Sequence, residues 1–306
     1  MANEVLYSGQ GDTALAEIAA DRFLLLAAAR EILGNHPALF YAGDLSGSMS
    51  ATVQIPQVGW EGYNLAGDAG ENSSTANTAF TDASTSLSVA QKAVMYNVSE
   101  LLRITGGDLG LLTKAEHLAR NALMVQQIKL TDMIVNVIDG FAATAGTSGV
   151  DLSLNDIEVA QRQLQENGVT GQLLCILHPI QWQDLRRDLR GESALQMSVN
   201  EIYKNGAPAG YQTSWQNIDF FVSSRVPTAN GGADRAGALF GYGAVAWADA
   251  SFPQDDIVKD GVINLGKVKV QVQDDLPSAM RKTLFSCYLA VGLGVDSLGV
   301  SIISDA

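Results

Sequence analysis

The chain has 306 residues, 47% of them hydrophobic and only 17% charged. A chain of this size can bury about 75% of its unfolded surface, and this composition excludes disorder driven by charge. Its 19 Lys and Arg against 33 Asp and Glu leave a net charge of −14, which argues against wrapping phosphate backbones by counterion release.

Residues 13–33 place Leu15, Ile18, Phe23, Leu25, Leu26 and Ile32 in a run without breakers, which predicts an arm helix capped by Gly34-Asn35. Asp12, Glu17 and Asp21 precede the apolar stretch Phe23–Ala29 where a signal peptide needs cations, so no export signal is expected. No stretch reaches the roughly 20 apolar residues of a membrane span. From Ser48 to Ile55, Met49, Ala51, Val53 and Ile55 alternate with polar residues, a strand with one apolar face that Pro56 is expected to end. The polar, glycine-rich stretch between Val58 and Asp82 is too long for an ordinary turn and should project. The return strand, Thr85–Val98, changes phase near Ala90–Lys92, which predicts a bulge.

No Lys or Arg occurs between Arg30 and Lys92, so this arm is acidic or neutral throughout. A two-stranded ribbon is marginal alone in water, so one carrying Val53, Ile55, Val58, Trp60 and Tyr63 needs a partner surface. The alternative is a hairpin lying on its own domain. A short helix is expected at residues 99–105, and a long one from Thr113 to about Ala143. On the long helix Leu123, Leu130, Ile134, Val137, Ile138 and Phe141 form one apolar stripe and Met124, Ile128 and Val135 a second, which implies two packing partners. After a linker-like stretch at 140–149 the pattern becomes α/β. A helix ends at Asn167-Gly168, Leu173–Leu177 is a buried strand, and a helix from Pro179 buries Ile180, Leu185 and Leu189. Ile218–Val222, Ala238–Trp247, Val268–Val272 and Thr283–Leu293 read as strands, the last nearly all apolar and therefore central.

Chemistry-bearing patterns are sparse. The zinc, dinucleotide, nucleotide and acyl-transfer motifs are all missing from the sequence. His36 and His178 precede prolines and His117 sits early in the long helix, each a structural position. Cys175 and Cys287 lie in apolar runs and read as buried, inert thiols. Asp255-Asp256 and Asp274-Asp275 read as solvated loop acids, with a divalent-cation site as the alternative. Arg186, Arg187 and Arg190 are interleaved with Asp184, Asp188 and Glu192, giving local ion pairs on a solvated or subunit-bridging face. No catalytic, cofactor or metal residue is assigned.

The order of arm helix, long acidic hairpin, long helix, α/β block and closing strands resembles that of tailed-bacteriophage major capsid proteins with the Hong Kong 97-like fold. LLCILHPIQWQDL (173–185), IDFFVSSRVP and GALFGYGAVAWADA carry the resemblance most specifically. It implies an α+β architecture with an N-arm over 1–35, an extended E-loop over 36–98, and a peripheral domain over 99–147 around the spine helix. An axial domain over 148–250 and peripheral C-terminal strands over 251–306 complete it. On this resemblance the chain is not an enzyme and uses no cofactor. It forms pentamers and hexamers closing into an icosahedral shell around double-stranded DNA, in the virion and without a membrane, and the five E-loop residues and the second helix stripe contact neighbouring copies. Scaffolding is expected from a separate protein, a portal and decoration proteins are further partners, and the lack of a hairpin lysine before Lys92 speaks against covalent crosslinking of the arm. An encapsulin-type compartment is the alternative within the same fold, and a soluble acidic hydrolase the alternative outside it.

Overall fold

The structure is a computed structural model that describes residues 33–46, 51–58, 82–99, 124–191, 211–252, 258–259, 262–264, 267–275 and 280–305. The arm helix before Leu33, the hairpin tip, the short helix beyond Ser99 and the first part of the long helix lie outside these residues.

In chain order the first strands are β1 (Leu39–Asp44), β2 (Thr52–Val58), β3 (Asp82–Ser88) and β4 (Ala90–Ser99). A π-helical turn, Met124–Ile128, then runs into α1 (Lys129–Val137), and β5 is only Thr144–Ala145. The α/β part follows with α2 (Leu154–Glu166), β6 (Leu173–Leu177), α3 (Pro179–Gly191), β7 (Tyr211–Trp215), β8 (Ile218–Val222), β9 (Thr228–Ala229) and β10 (Asp234–Phe240). The chain closes with β11 (Val245–Ala250), β12 (Val258–Lys259), β13 (Val262–Asn264), β14 (Val268–Asp275), β15 (Met280–Leu293) and β16 (Gly299–Asp305).

Two seven-stranded sheets result, one ordered β1-β11-β15-β14-β13-β12 with β4 also on β15, the other β5-β16-β10-β6-β8-β7 with β9 on β10. The apolar run at 283–293 is central, as its composition requires. Leu289 pairs with Ala90 on one edge and Asp249 on the other, so β4 lies along one side of β15, with β14 and then β11 along the opposite side. The outer edge of β4 pairs with no other described strand.

Alternation in β11 sorts side chains to two faces. Val245 and Trp247 join the core beneath α1, with Leu130, Ile134, Val135 and Ile138 of the helix segment and Phe285, Cys287 and Leu289 of β15. Gly34 is pinned there: a Cβ on it would lie 2.8 Å from Leu130 Cδ2, and its carbonyl accepts the Trp247 indole N–H at 3.0 Å. Ala246 and Ala248 face the other way and, with Ala290, form a shallow platform on which Ile55 and Leu87 pack. The ribbon β2–β3 is therefore seated at its base on its own domain. It continues through Pro56, paired with Ser84, to Val58. The expectation that Pro56 ends the strand fails because the outer edge of β2 pairs with no other described strand, and there a residue without an N–H leaves no ladder bond unmade. The expected irregularity of the return strand is the break at Val89, whose N–H reaches the Ala51 carbonyl at 2.9 Å.

In the second sheet α2 and α3 cover one face, burying Ile157, Leu164 and Leu185 over Cys175, Phe220, Leu239 and Ile302. The opposite face supplies Leu174, Ile176, Ala238 and Phe240 to the core under α1. A Ser153–Asp156 capping box opens α2, and Asn167 ends it, as the sequence predicts. Ile180 is 39% exposed, contrary to the expected core stripe of α3. The inward positions are Gln181, Trp182 and Leu185. Gln181 is fully buried, donating to the carbonyls of Arg235 and Ile302 and to Ser304 Oγ while accepting from His178 N–H at 3.0 Å.

The stretch 238–247 is two strands in different sheets rather than one. The chain crosses at Gly241–Ala244, with Gly243 at φ +90°, which favours glycine. It returns between Leu293 and Gly299, so β16 pairs with β10 and β5. The C-terminal strand thus belongs to the second sheet, whereas β11 joins the first. The two crossings bond to each other, Gly294 N–H to Ala244 O at 2.8 Å and Val295 N–H to Gly243 O at 3.0 Å. A Cβ on Gly294 would sit 2.2 Å from the Gly243 carbonyl oxygen, a backbone atom that cannot yield alone. Gly294→Ala should therefore cost about 3 kcal/mol, the upper end of overpacking penalties. Urea denaturation should show a lower midpoint at unchanged slope, and an unshifted midpoint contradicts the close crossing.

Candidate functional site

For an assembling chain the site is a set of surfaces. Of the expected arm contacts, Ile55 is 6% exposed and packed on its own platform, Val53 is half-buried beside it, and Val58 lies on β2. Trp60 and Tyr63 lie outside the described residues. Of the second helix stripe, Met124 opens the π-helical turn, Ile128 is half-buried, and Val135 is fully buried in the core of the first sheet. Ile55 and Val135 are therefore not available to a neighbour. The helix does have two packing partners, but both belong to the same chain: α1 lies on β15, and its 3-10 extension Ile138–Gly140 meets β10 and β16.

What remains open is elsewhere. Val94 and Met95, successive residues of β4, are 40% and 55% exposed, so that strand presents apolar side chains on both faces as well as an edge that pairs with no other described strand. Sequence alternation places a strand here but does not show that its outer edge pairs with no other described strand. Tyr242, at the crossing, is 60% exposed and meets Phe40 edge-on at 5.7 Å. Lys92 is half-buried in the β4 ladder opposite Cys287.

Charged groups in the described residues serve the fold. His36 Nδ1 accepts from Ala38 N–H at 3.1 Å, which assigns the proton to Nε2, and Nε2 donates to Asp219 at 2.9 Å, tying the start of the arm to the second sheet. Burial pushes the Asp219 carboxyl up, but hydrogen bonds from His36, Ser214 and Gln172 outweigh it and hold its pKa below the ordinary value. Asp132 is likewise lowered: burial opposes, and the bonds and charges of Lys129 at 2.8 Å and Arg225 at 3.4 Å win. Carboxylates with depressed folded values contribute stability above about pH 4 and lose it as pH falls through those values. Asp184 is raised, chiefly by burial and then by Asp151, and works in the opposite sense. With Asp44 and Asp234 also lowered by hydrogen bonds they accept, four such groups stand against one raised, and the melting temperature should fall steadily between about pH 5 and about pH 2. A flat profile would contradict the assignment.

Burial raises the Cys175 thiol and pushes Cys287 up to about 12, so both are inert, as their apolar context implies. Asp274 and Asp275 lie in β14, paired opposite Arg281 and Met280, rather than in a loop. Among the described residues no cluster of three or more His, Cys, Asp or Glu is placed to hold a metal. No described helix is long and apolar enough to cross a membrane. Arg187 makes the expected local pair with Asp184 at 3.3 Å and, beyond that expectation, a long-range pair with Asp151 at 3.6 Å. The outer side of α3 holds a cavity of about 380 Å³ lined by Pro179, Trp182, Gln183, Arg186 and Arg187.

The two crossed-over sheets, the ribbon set on one of them and the helix beneath define the Hong Kong 97-like shell-protein fold. The chain is similar to the capsid protein of cyanophage Pam1, at 13% identity over 93% of this chain and 92% of that one with a TM-score of 0.57. It is similar to that of Ralstonia phage GP4, at 12% identity over 90% and 92% with a TM-score of 0.55. The SrpI encapsulin of Synechococcus elongatus matches at 11% identity over 93% and 86% with a TM-score of 0.58. No protein-family model matches the sequence, and no curated protein does.

Proposed function

We propose that this chain is the major capsid protein of a tailed bacteriophage. It assembles as pentamers and hexamers into an icosahedral shell enclosing double-stranded DNA, and it has no catalytic role. The observation that carries the reading is a likeness to phage capsid proteins that spans nine-tenths or more of both chains, Pam1 and GP4 among them. The thin charge, 17% of residues, fits a subunit whose surface is largely covered by other copies. Individual contacts need only be weak, because closure makes the loss of one subunit break several contacts at once.

On this reading the edge of β4 that pairs with no other described strand, with Val94 and Met95, is a neighbour contact, together with Trp60 and Tyr63. A net charge of −14 suits a wall that encloses DNA without gripping phosphate. A separate scaffolding protein, a portal and decoration proteins complete the assembly, and the chain resides in the virion.

The test is electron microscopy of particles produced with the neighbouring genes of the source genome, followed by analysis of their contents. Nuclease-protected DNA beside terminase and portal genes supports the capsid. A packaged ferritin-like or peroxidase protein would instead assign the encapsulin function, which the SrpI likeness keeps in view.

A further inference from the structure

The cavity on the outer side of α3 has a one-sided chemistry. Pro179, Trp182, Gln183, Arg186 and Arg187 fall at helical spacing along one stripe, the pattern by which a helix meets a second surface. Trp182 is only 8% exposed and packs at a tilt on Phe220 with ring centres 5.4 Å apart, yet its indole Nε1 is buried without a hydrogen-bond partner among the described residues. An indole can only donate, and a buried donor left unpaired carries the full penalty of its lost water. Arg187 is already matched by Asp184 and Asp151. Arg186 is exposed and has no ion pair among the described residues. Among the described residues, the side chains around this volume therefore offer a guanidinium without an ion pair and an unpaired N–H but no free carboxylate.

We infer that this stripe receives a carboxylate from a second copy of the chain, which makes α3 a lateral contact between shell subunits. The inference rests on the capsid reading. Charge complementarity points to a second copy: with 33 acidic residues against 19 basic ones, each copy presents carboxylates in excess, and Glu158 and Glu166 on α2 are both exposed. A contact between unlike patches of successive copies, the basic stripe of one and an acidic face of the next, closes into a ring when the rotation between copies allows it. Guanidinium–carboxylate pairing is the geometry that arginine favours over lysine.

The experiment uses the full-length chain with its assembly partners and compares wild type with Arg186→Glu, Trp182→Phe and Ser224→Glu. Ser224 is an exposed turn residue outside the cavity and outside α2, so its variant adds an acid where no contact is proposed. Closed particles should fall roughly tenfold or more for Arg186→Glu, the size of one lost charged contact. They should fall measurably for Trp182→Phe and stay at the wild-type level for Ser224→Glu, with subunit melting temperatures unchanged for Arg186→Glu and Ser224→Glu. A high-resolution map of the wild-type particle should place a carboxylate oxygen from a neighbouring subunit within hydrogen-bond distance of Arg186 or Trp182 Nε1. Normal particles from Arg186→Glu overturn the inference, as does an equal loss from Ser224→Glu. Normal shells that merely package less DNA also overturn it, since they would assign the site to phosphate. If wild type itself forms no particles, the capsid reading fails first and this inference falls with it.

Discussion

Deleting residues 64–80 should abolish closed particles and leave a folded subunit. The base of the ribbon is seated by Ile55 and Leu87 on Ala246, Ala248 and Ala290, and a Cβ on Gly292 would lie 2.5 Å from Leu87 Cδ2, so the platform is shaped for that base. The register from Thr52↔Ser88 to Val58↔Asp82 is complete before the deleted segment begins. Removing the tip therefore takes nothing from the described core, and subunit stability should change by no more than about 0.5 kcal/mol. Assembly is different, because a two-stranded ribbon beyond its platform is marginal in water unless something covers it. The check is negative-stain microscopy beside thermal unfolding of the soluble subunit. Normal shells from the shortened chain contradict a bridging role for the arm.

The second large effect is inside the subunit, at Lys267. Asp249 is 1% exposed on β11; Tyr41 donates to its Oδ1 at 2.7 Å, and Lys267 Nζ lies 2.5 Å from Oδ2, an ion pair off the line of a good hydrogen bond. The ammonium also lies 5.3 Å from the Tyr41 ring centre and 5.9 Å from that of Trp247. Burial, then the bond and charge of Asp249, raise the Tyr41 phenol far above its usual value, so it remains a donor. Lys267→Met should cost about 3 kcal/mol, the low end for stranding a buried charge, because the lysine side chain is 39% exposed and water softens the loss. Adding Asp249→Asn removes the stranded charge while keeping an acceptor for Tyr41, and should recover most of the stability. If the double variant melts no higher than Lys267→Met alone, the charge is not the cause.

Much of this fold is legible where local signals and tertiary demands agree. Leu173–Leu177 reads as a buried strand and is one with every residue buried. The helix stop at Asn167-Gly168 follows from chain chemistry alone, and the apolar run at 283–293 is central because nothing else could cover it. The failures share a cause: short-range patterns do not say which surface meets which. Gly241–Ala244 interrupts an apolar run too briefly to show that the chain changes sheets. Ala246 and Ala248 look unremarkable until Ile55 and Leu87 rest on them, and Val135 reads as a second outward stripe until β15 lies beneath it. Gln181 carries no sequence signal, since a polar residue at an inward helix position is legible only through the carbonyls it satisfies. The edge of β4 that pairs with no other described strand and the cavity on α3, lined by two arginines and no carboxylate among the described residues, are equally invisible in one dimension.

The account stands on the claim that one copy is incomplete and that its uncovered surfaces are buried by others. Sedimentation of the purified full-length chain, produced with its assembly partners, tests that claim most directly. Closed particles in the megadalton range are the predicted result. A stable species near the 32.4 kDa of a single chain, persisting at high protein concentration, would contradict it.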